Sequence, residues 1–264
     1  MKITVFTSNQ PRHIGLINRL AEVSDMTFAV MECTTVFPGL VQDFYNKTEI
    51  MQKYFSYVIA AEKKFFGDIN FTRPNVRSLS LKSDDLAFTQ EVQLHKALQS
   101  DLYVVFGASF IKGWLVDFLI GKKALNIHIG VSPYYRGSSC NFWALYDFKP
   151  EYVGATIHLL SKGLDSGPIL YHSMPKFTDD NPFEFTMRAV EVAQKSLVEQ
   201  ISNTNIHRFE PQVQNKKLEI RYSRHADFND EVAAEFLKRS WSSQDLGRLL
   251  GNASQPELIN PVFG

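Results

Sequence analysis

The feature that most limits how this chain folds is the unbroken apolar run Leu102-Tyr103-Val104-Val105-Phe106, closed by Gly107. A strand with one wet face alternates apolar and polar residues, whereas a strand without a polar side must be covered on both faces, as in the middle of a parallel sheet. The rest of the chain supplies its neighbours. Ile3 to Phe6 is a second short apolar run, Ile14, Ile17, Leu20 and Ala21 follow at helical spacing, and Met26 to Met31 reads as the next strand. That strand, helix, strand order predicts a parallel pair joined by a right-handed crossover. A helix from about Ile111, ended at Gly121, leads to the strand Ala124-Leu125-Asn126-Ile127-His128. The expectation is an α/β fold with a Rossmann-like, mostly parallel sheet.

Between these strands, Phe44, Met51, Phe55, Val58 and Ile59 fit one or two amphipathic helices within Val41 to Phe66, with Asn46-Lys47-Thr48 as the break. Val76, Leu79 and Leu81 form a weaker strand pattern, and Phe88 to Leu98 carries a helical period. Val153 to Leu160 and Ile169 to Met174 read as antiparallel arms around the loop 161–168, and Phe183 to Ile201 as a helix with Pro182 at its start. Beyond about residue 205 the character changes. Leu218 to Tyr222 is strand-like, Asp227 to Lys238 is a short amphipathic helix, and Asn252 to Gly264 has little periodic signal. The expected organisation is a domain over 1–205 with a small α+β appendage over 206–264, usable as an interface, a homodimer included.

Charge excludes some roles. Lys+Arg and Asp+Glu are both 28, so there is no global basic field to hold nucleic acid or an anionic membrane. No run of about 18 apolar residues suits a bilayer, and polar Thr7-Ser8-Asn9-Gln10 cuts short the apolar start that a signal peptide needs. Cys33 and Cys140 lack C-x-x-C spacing and read as buried thiols in a reducing compartment. A cytoplasmic chain without a metal site is expected.

The chemistry should lie where polar residues enter the second central strand. Asn126 and His128 are two apart, so they share one side of the sheet, and they stand at the carboxyl end of the strand, where open parallel sheets bind ligands. Asp165 joins from the turn, with Gly163 and Gly167 on either side to let the backbone fold tightly. Acyl transfer to an amine needs such a set: a base, a group to orient it, and a donor for the developing oxyanion. Taken singly, each of the three is as readily a structural group. His158 reads as a packed core histidine, and His13 as a surface loop residue unless a substrate phosphate passes there. Phe142, Trp143, Tyr146 and Phe148 sit at helical spacing and read as core rather than a base-stacking surface.

Four segments carry a resemblance: Leu125-Asn126-Ile127-His128, Ser132-Pro133-Tyr134-Tyr135-Arg136-Gly137, Gly154-Ala155-Thr156-Ile157-His158, and Gly163-Leu164-Asp165-Ser166-Gly167-Pro168-Ile169-Leu170. In order and spacing the stretch from about Leu102 to Met174 resembles the folate-dependent formyltransferases. The resemblance implies a catalytic triad of Asn126, His128 and Asp165, with 10-formyltetrahydrofolate as co-substrate. It places the pteridine between Ser109, Phe110 and Ile111 on one side and Ser161, Lys162, Gly163 and Leu164 on the other. His128 would then accept the ammonium proton or, once protonated, stabilise the oxyanion that Asn126 hydrogen-bonds.

Departures narrow the family. The turn Thr7-Ser8-Asn9-Gln10-Pro11-Arg12-His13 is not the Gly-Ser-rich ribotide-phosphate loop of glycinamide ribonucleotide transformylases. An OB-like carboxy-terminal domain of the methionyl-tRNA enzymes and a leading regulatory domain of the hydrolases are both missing from the pattern. What is left is most similar to the sugar N-formyltransferases of O-antigen and lipopolysaccharide biosynthesis, implying as partner a nucleotide-linked amino sugar, an aminodideoxyhexose on dTDP. The alternatives are another folate-dependent transformylase or a non-catalytic folate- or nucleotide-binding relative. Arg136 with its neighbour Tyr135, and Arg12 or His13 beyond the first strand, are the candidate contacts to the carrier, because a guanidinium can grip phosphate with two donors.

Overall fold

A computed structural model describes residues 1–41 and 48–264. Its main sheet has eight strands. Five are parallel neighbours in the order β3 (Val76–Lys82), β2 (Met26–Cys33), β1 (Lys2–Thr7), β4 (Leu102–Val105) and β5 (Leu125–His128). Beyond β5 the sheet turns antiparallel through β7 (Ala155–Leu159) and β8 (Ile169–Met174), and β10 (Val262–Phe263) closes that edge parallel to β8. A separate parallel pair joins β6 (Tyr135–Gly137) to β9 (Arg221–Ser223). The Rossmann-like, mostly parallel α/β architecture read from the apolar runs is the one observed. Val104 at the sheet's centre is fully buried, as a two-sided strand requires.

Helices α1 (Pro11–Glu22), α2 (Glu49–Phe66) and α6 (Pro182–Ser202) pack together on the same side of the sheet. The α6 start is fixed by its sequence. Asn181 accepts from the backbone N–H groups of Phe183 and Glu184, Glu184 reaches back to the Asn181 N–H, and Pro182 needs no donor there. α4 (Gly113–Gly121) covers the opposite face with Leu115, Val116 and Leu119. α5 (Cys140–Tyr146) and α7 (Asp230–Lys238) form a second cluster with the start of α2, built on Tyr54, Phe142 and Phe236. There Phe142 and Trp143 are core, as read, while Phe148 is exposed.

Several expectations need correction. The helical period over Phe88 to Leu98 yields only α3 (Glu91–Leu94) between 3-10 turns, because Phe88 and Val92 point to solvent instead of into a core. The expected strand over Leu218 to Tyr222 starts later, at Arg221, after a 3-10 turn through Leu218. The tail is more ordered than its pattern suggests. α8 (Ser243–Asn252) precedes it, and β10 extends the main sheet. Phe44 and the Asn46-Lys47 break lie outside the described residues. No helix among the described residues is long and apolar enough to cross a membrane.

Candidate active site

The carboxyl end of β5 delivers Asn126 and His128 to one side, as the period of two requires, and both meet the same oxygen. Asp165 Oδ1 lies 3.3 Å from His128 Nδ1 and 3.5 Å from Asn126 Nδ2. The turn that brings the carboxylate there works differently from expectation. Asp165 itself adopts the left-handed conformation, at φ 46°, and neither flanking glycine does. Gly167 is needed for another reason: a Cβ there would come within 1.7 Å of the Leu159 carbonyl oxygen. Gln214 then pins the turn from the carboxy-terminal segment, donating from Nε2 to the carbonyls of Asp165 and Gly167, both at 2.8 Å.

His158 is the site residue that the sequence reading treated as core. It is buried, but the β5–β7 register sets it directly across from Asn126, and Asn126 Nδ2 lies 2.9 Å from its Nε2. A carbonyl can only accept, so the contact of His158 Nδ1 with its neighbour Leu159 O at 2.8 Å places the proton on Nδ1. Nε2 is left as the acceptor that fixes which way the Asn126 amide points. The sequence pairs 153–160 with 169–174 only, and the register against β5 that reveals His158 comes from the fold.

Electrostatics divide the two histidines. Burial works against a charge on His128, but the Asp165 carboxylate and the Cys140 thiol outweigh it, and the ring titrates well above the usual imidazole range. Geometry agrees. The second nitrogen, Nε2, faces the Tyr135 carbonyl at 3.2 Å, so each ring nitrogen has an acceptor beside it, an arrangement that suits the protonated ring. Gly130 leaves room for this stack, since a Cβ there would strike both Cys140 and the His128 ring. Burial pushes His158 down to about 4 against the pull of Asp165, which keeps it neutral. Asp165, despite its own burial, is held below the usual carboxylate range by His128, His158 and Arg136.

Of the two loops expected to hold a pteridine, the second is linked to α4, the helix that follows the first, by the exposed ion pair of Lys162 Nζ with Asp117 at 2.7 Å. Ser109 is held by a buried carboxylate. Glu32 Oε2 accepts from its backbone N–H at 2.7 Å, and Oε1 takes both its hydroxyl, at 2.9 Å, and the Leu86 N–H, at 3.2 Å. Ile111 is buried beneath the loop. Phe110 and Leu164 are left 49% and 41% exposed, with Ser161 and Gly163 in the same loop as Leu164. Among the described residues there is no cluster of His, Cys, Asp and Glu fit to hold a metal.

Of the carrier candidates, Arg12, Tyr135 and Arg136 are engaged by protein groups, whereas His13 Nδ1 is buried with no hydrogen-bond partner among the described residues. Arg12 pairs with Glu62, and His13, instead of lying in a surface loop, is buried in the first turn of α1. Tyr135 is buried and its hydroxyl donates to Asp147. Arg136 bridges Glu219 Oε2 and the Leu164 carbonyl, each at 2.9 Å. Cys140 is the buried thiol expected, whereas Cys33 is only partly covered.

Known proteins share this arrangement of chain. A family model described as formyl transferase matches residues 1–201. Formyltetrahydrofolate deformylase 2, mitochondrial, of Arabidopsis thaliana is 29% identical over 100 residues, which are 38% of this chain and 28% of the relative. The chain therefore matches well under two thirds of that curated relative's length. Two solved structures share the fold. One is a formyltransferase of Anoxybacillus kamchatkensis in complex with UDP-4,6-dideoxy-4-formamido-L-AltNAc and tetrahydrofolate, at TM-score 0.53 and 16% identity, covering 93% of this chain and 97% of that one. The other is an N-formyltransferase of Helicobacter canadensis with folinic acid and dTDP-3-aminofucose, at TM-score 0.50 and 13% identity, covering 86% and 72%.

Proposed function

Because the chain belongs to the formyl transferase family, we propose that it moves a formyl group from 10-formyltetrahydrofolate to the amine of a nucleotide-linked amino sugar, with Asn126, His128 and Asp165 as its catalytic residues. The observation that carries this reading is the convergence of Asn126 and His128 on one oxygen of Asp165 at the carboxyl end of β5. The co-substrate supplies a formyl carbon activated by its folate nitrogen. His128, charged and fixed, favours negative charge developing on the formyl oxygen. One Asn126 amide hydrogen is held by His158. The other points to Asp165 at 3.5 Å, a contact long enough to give way to the formyl oxygen. Asp165 keeps His128 charged and oriented. In the net reaction the amine loses one proton, the folate nitrogen gains one, and the new amide gains one CO unit.

A nucleotide-linked sugar is favoured as acceptor because two structures of the same fold hold UDP-4,6-dideoxy-4-formamido-L-AltNAc and dTDP-3-aminofucose. Arg136 is the proposed diphosphate contact. Its partner Glu219 has a side chain 31% exposed, so phosphate oxygens can take the carboxylate's place. Incubating the protein with 10-formyltetrahydrofolate and a panel of amines, including dTDP- and UDP-aminodideoxyhexoses, glycinamide ribonucleotide and methionyl-tRNA, tests the reading by mass. A gain of one CO on a nucleotide sugar supports it, and formylation confined to the other acceptors refutes the acceptor class.

A further inference from the structure

We propose that Glu62 is a specificity-determining residue: a built-in anion that fills the phosphate cradle at the start of α1 and turns away acceptors that present a phosphate monoester there. The strand order reverses between β1 and β4, and at such a point the turn from β1 into α1 is where a phosphate normally rests on free helix N–H groups. Pro11 has no donor. The N–H groups of His13 and Ile14 both go to the Gln10 carbonyl, at 2.8 and 3.1 Å. Of Pro11, Arg12 and His13, that leaves Arg12 N–H, and it donates to Glu62 Oε1 at 3.0 Å, the same oxygen that takes Arg12 Nη1 at 2.8 Å.

A carboxylate oxygen thus occupies the position a phosphate oxygen would take, on the backbone donor and the guanidinium together. Glu62 is only 6% exposed, and Gln194 of α6 fixes the other side of the turn by donating to the Arg12 carbonyl at 2.7 Å. The turn's own side chains face away, Ser8 to the Glu32 carbonyl and Asn9 to that of Thr34. The remaining space is closed by His13, whose ring packs on Phe106 and whose Nε2 a Cβ on Gly107 would meet at 2.5 Å. Admitting a phosphate would leave a buried carboxylate without its partner, which is strongly unfavourable. Of the anion contacts expected from the sequence, Arg12 is therefore committed to Glu62, and His13 is buried against Phe106. The inference rests on the formyl-transfer reading only in calling the excluded molecule an acceptor.

Inorganic phosphate is the probe, with its binding followed by calorimetry and by thermal shift in the absence of any formyl donor. The wild-type protein should show no saturable binding that depends on Arg12. Glu62→Ala should bind phosphate at least about tenfold more tightly than wild type, through the freed guanidinium and helix donor, and the double variant Glu62→Ala/Arg12→Ala should lose that gain. Glu62→Gln keeps the shape and an acceptor for Arg12 N–H, and should gain affinity in the same direction should the alanine variant not fold. Unchanged phosphate affinity in both Glu62 variants overturns the proposal, as does wild-type binding that Arg12→Ala abolishes. Neither result depends on turnover, so a failed formyl-transfer reading would show itself separately.

Discussion

At the residue scale the site is a set of fixed donors around one carboxylate oxygen. Asn126→Ala removes the amide that both His158 and Asp165 orient, and kcat should fall by about a hundredfold with folate affinity little changed; turnover at the wild-type rate would remove Asn126 from the mechanism. Asp165→Asn takes away the charge that holds His128 protonated. Because the folded pKa of His128 is raised, activity that needs the imidazolium persists above the usual imidazole range and is lost as pH rises through the folded value. In the asparagine variant this loss should move to lower pH, and a profile that only scales down would contradict the role. That Asn126 and His128 share one side is legible from strand periodicity, whereas Asp165 joins them through the family resemblance, since taken singly each reads as readily structural. The role of His158 was not legible, since a histidine in an alternating strand looks the same whether it packs or orients a neighbour. Only its register with Asn126 separates the two.

At the element scale, what could be read depended on whether the apolar pattern faced a core. β1, β4 and β5 were legible because both faces are covered. The Phe88 to Leu98 pattern misled because Phe88 is 83% and Val92 76% exposed. β10 is too short to have a period, and α8 announced itself only by the Ser242–Asp245 capping box. The loop holding Ser109 depends on Glu32, a residue whose role no local pattern reveals because the donors to its carboxylate come from two segments distant in sequence. Glu32→Gln offers N–H groups where acceptors are needed, so KM for the formyl donor should rise several-fold while kcat at saturation holds. Steady-state kinetics with varied folate checks this, and an unchanged KM would show that the loop keeps its place without the carboxylate.

At the scale of the whole molecule, the segment beyond residue 205 is stitched to the rest by the ion pairs Arg221–Asp147 and Arg136–Glu219 and by neutral histidine and amide contacts. His172 Nε2 donates to the Ser132 carbonyl at 2.7 Å, and its Nδ1 accepts from the Ile259 N–H at 2.8 Å. Burial pushes its pKa down to about 4. The folded value lies below the unfolded one, so the unfolded chain takes up a proton first on acidification. Stability is full above about pH 6.5 and declines towards pH 4, by up to roughly 3 kcal/mol from this residue. Urea denaturation midpoints should fall across that window, and less steeply in His172→Gln; parallel curves for the two proteins would remove His172 as the cause.

Whether the formyl group is transferred or released to water shows in the stoichiometry of the two products. With a dTDP- or UDP-linked aminodideoxyhexose present, tetrahydrofolate and sugar formamide should appear in equal amounts, and both should vanish together in His128→Gln. Tetrahydrofolate formed at the same rate with no acceptor, and without formamide, would contradict the account and assign the site to hydrolysis.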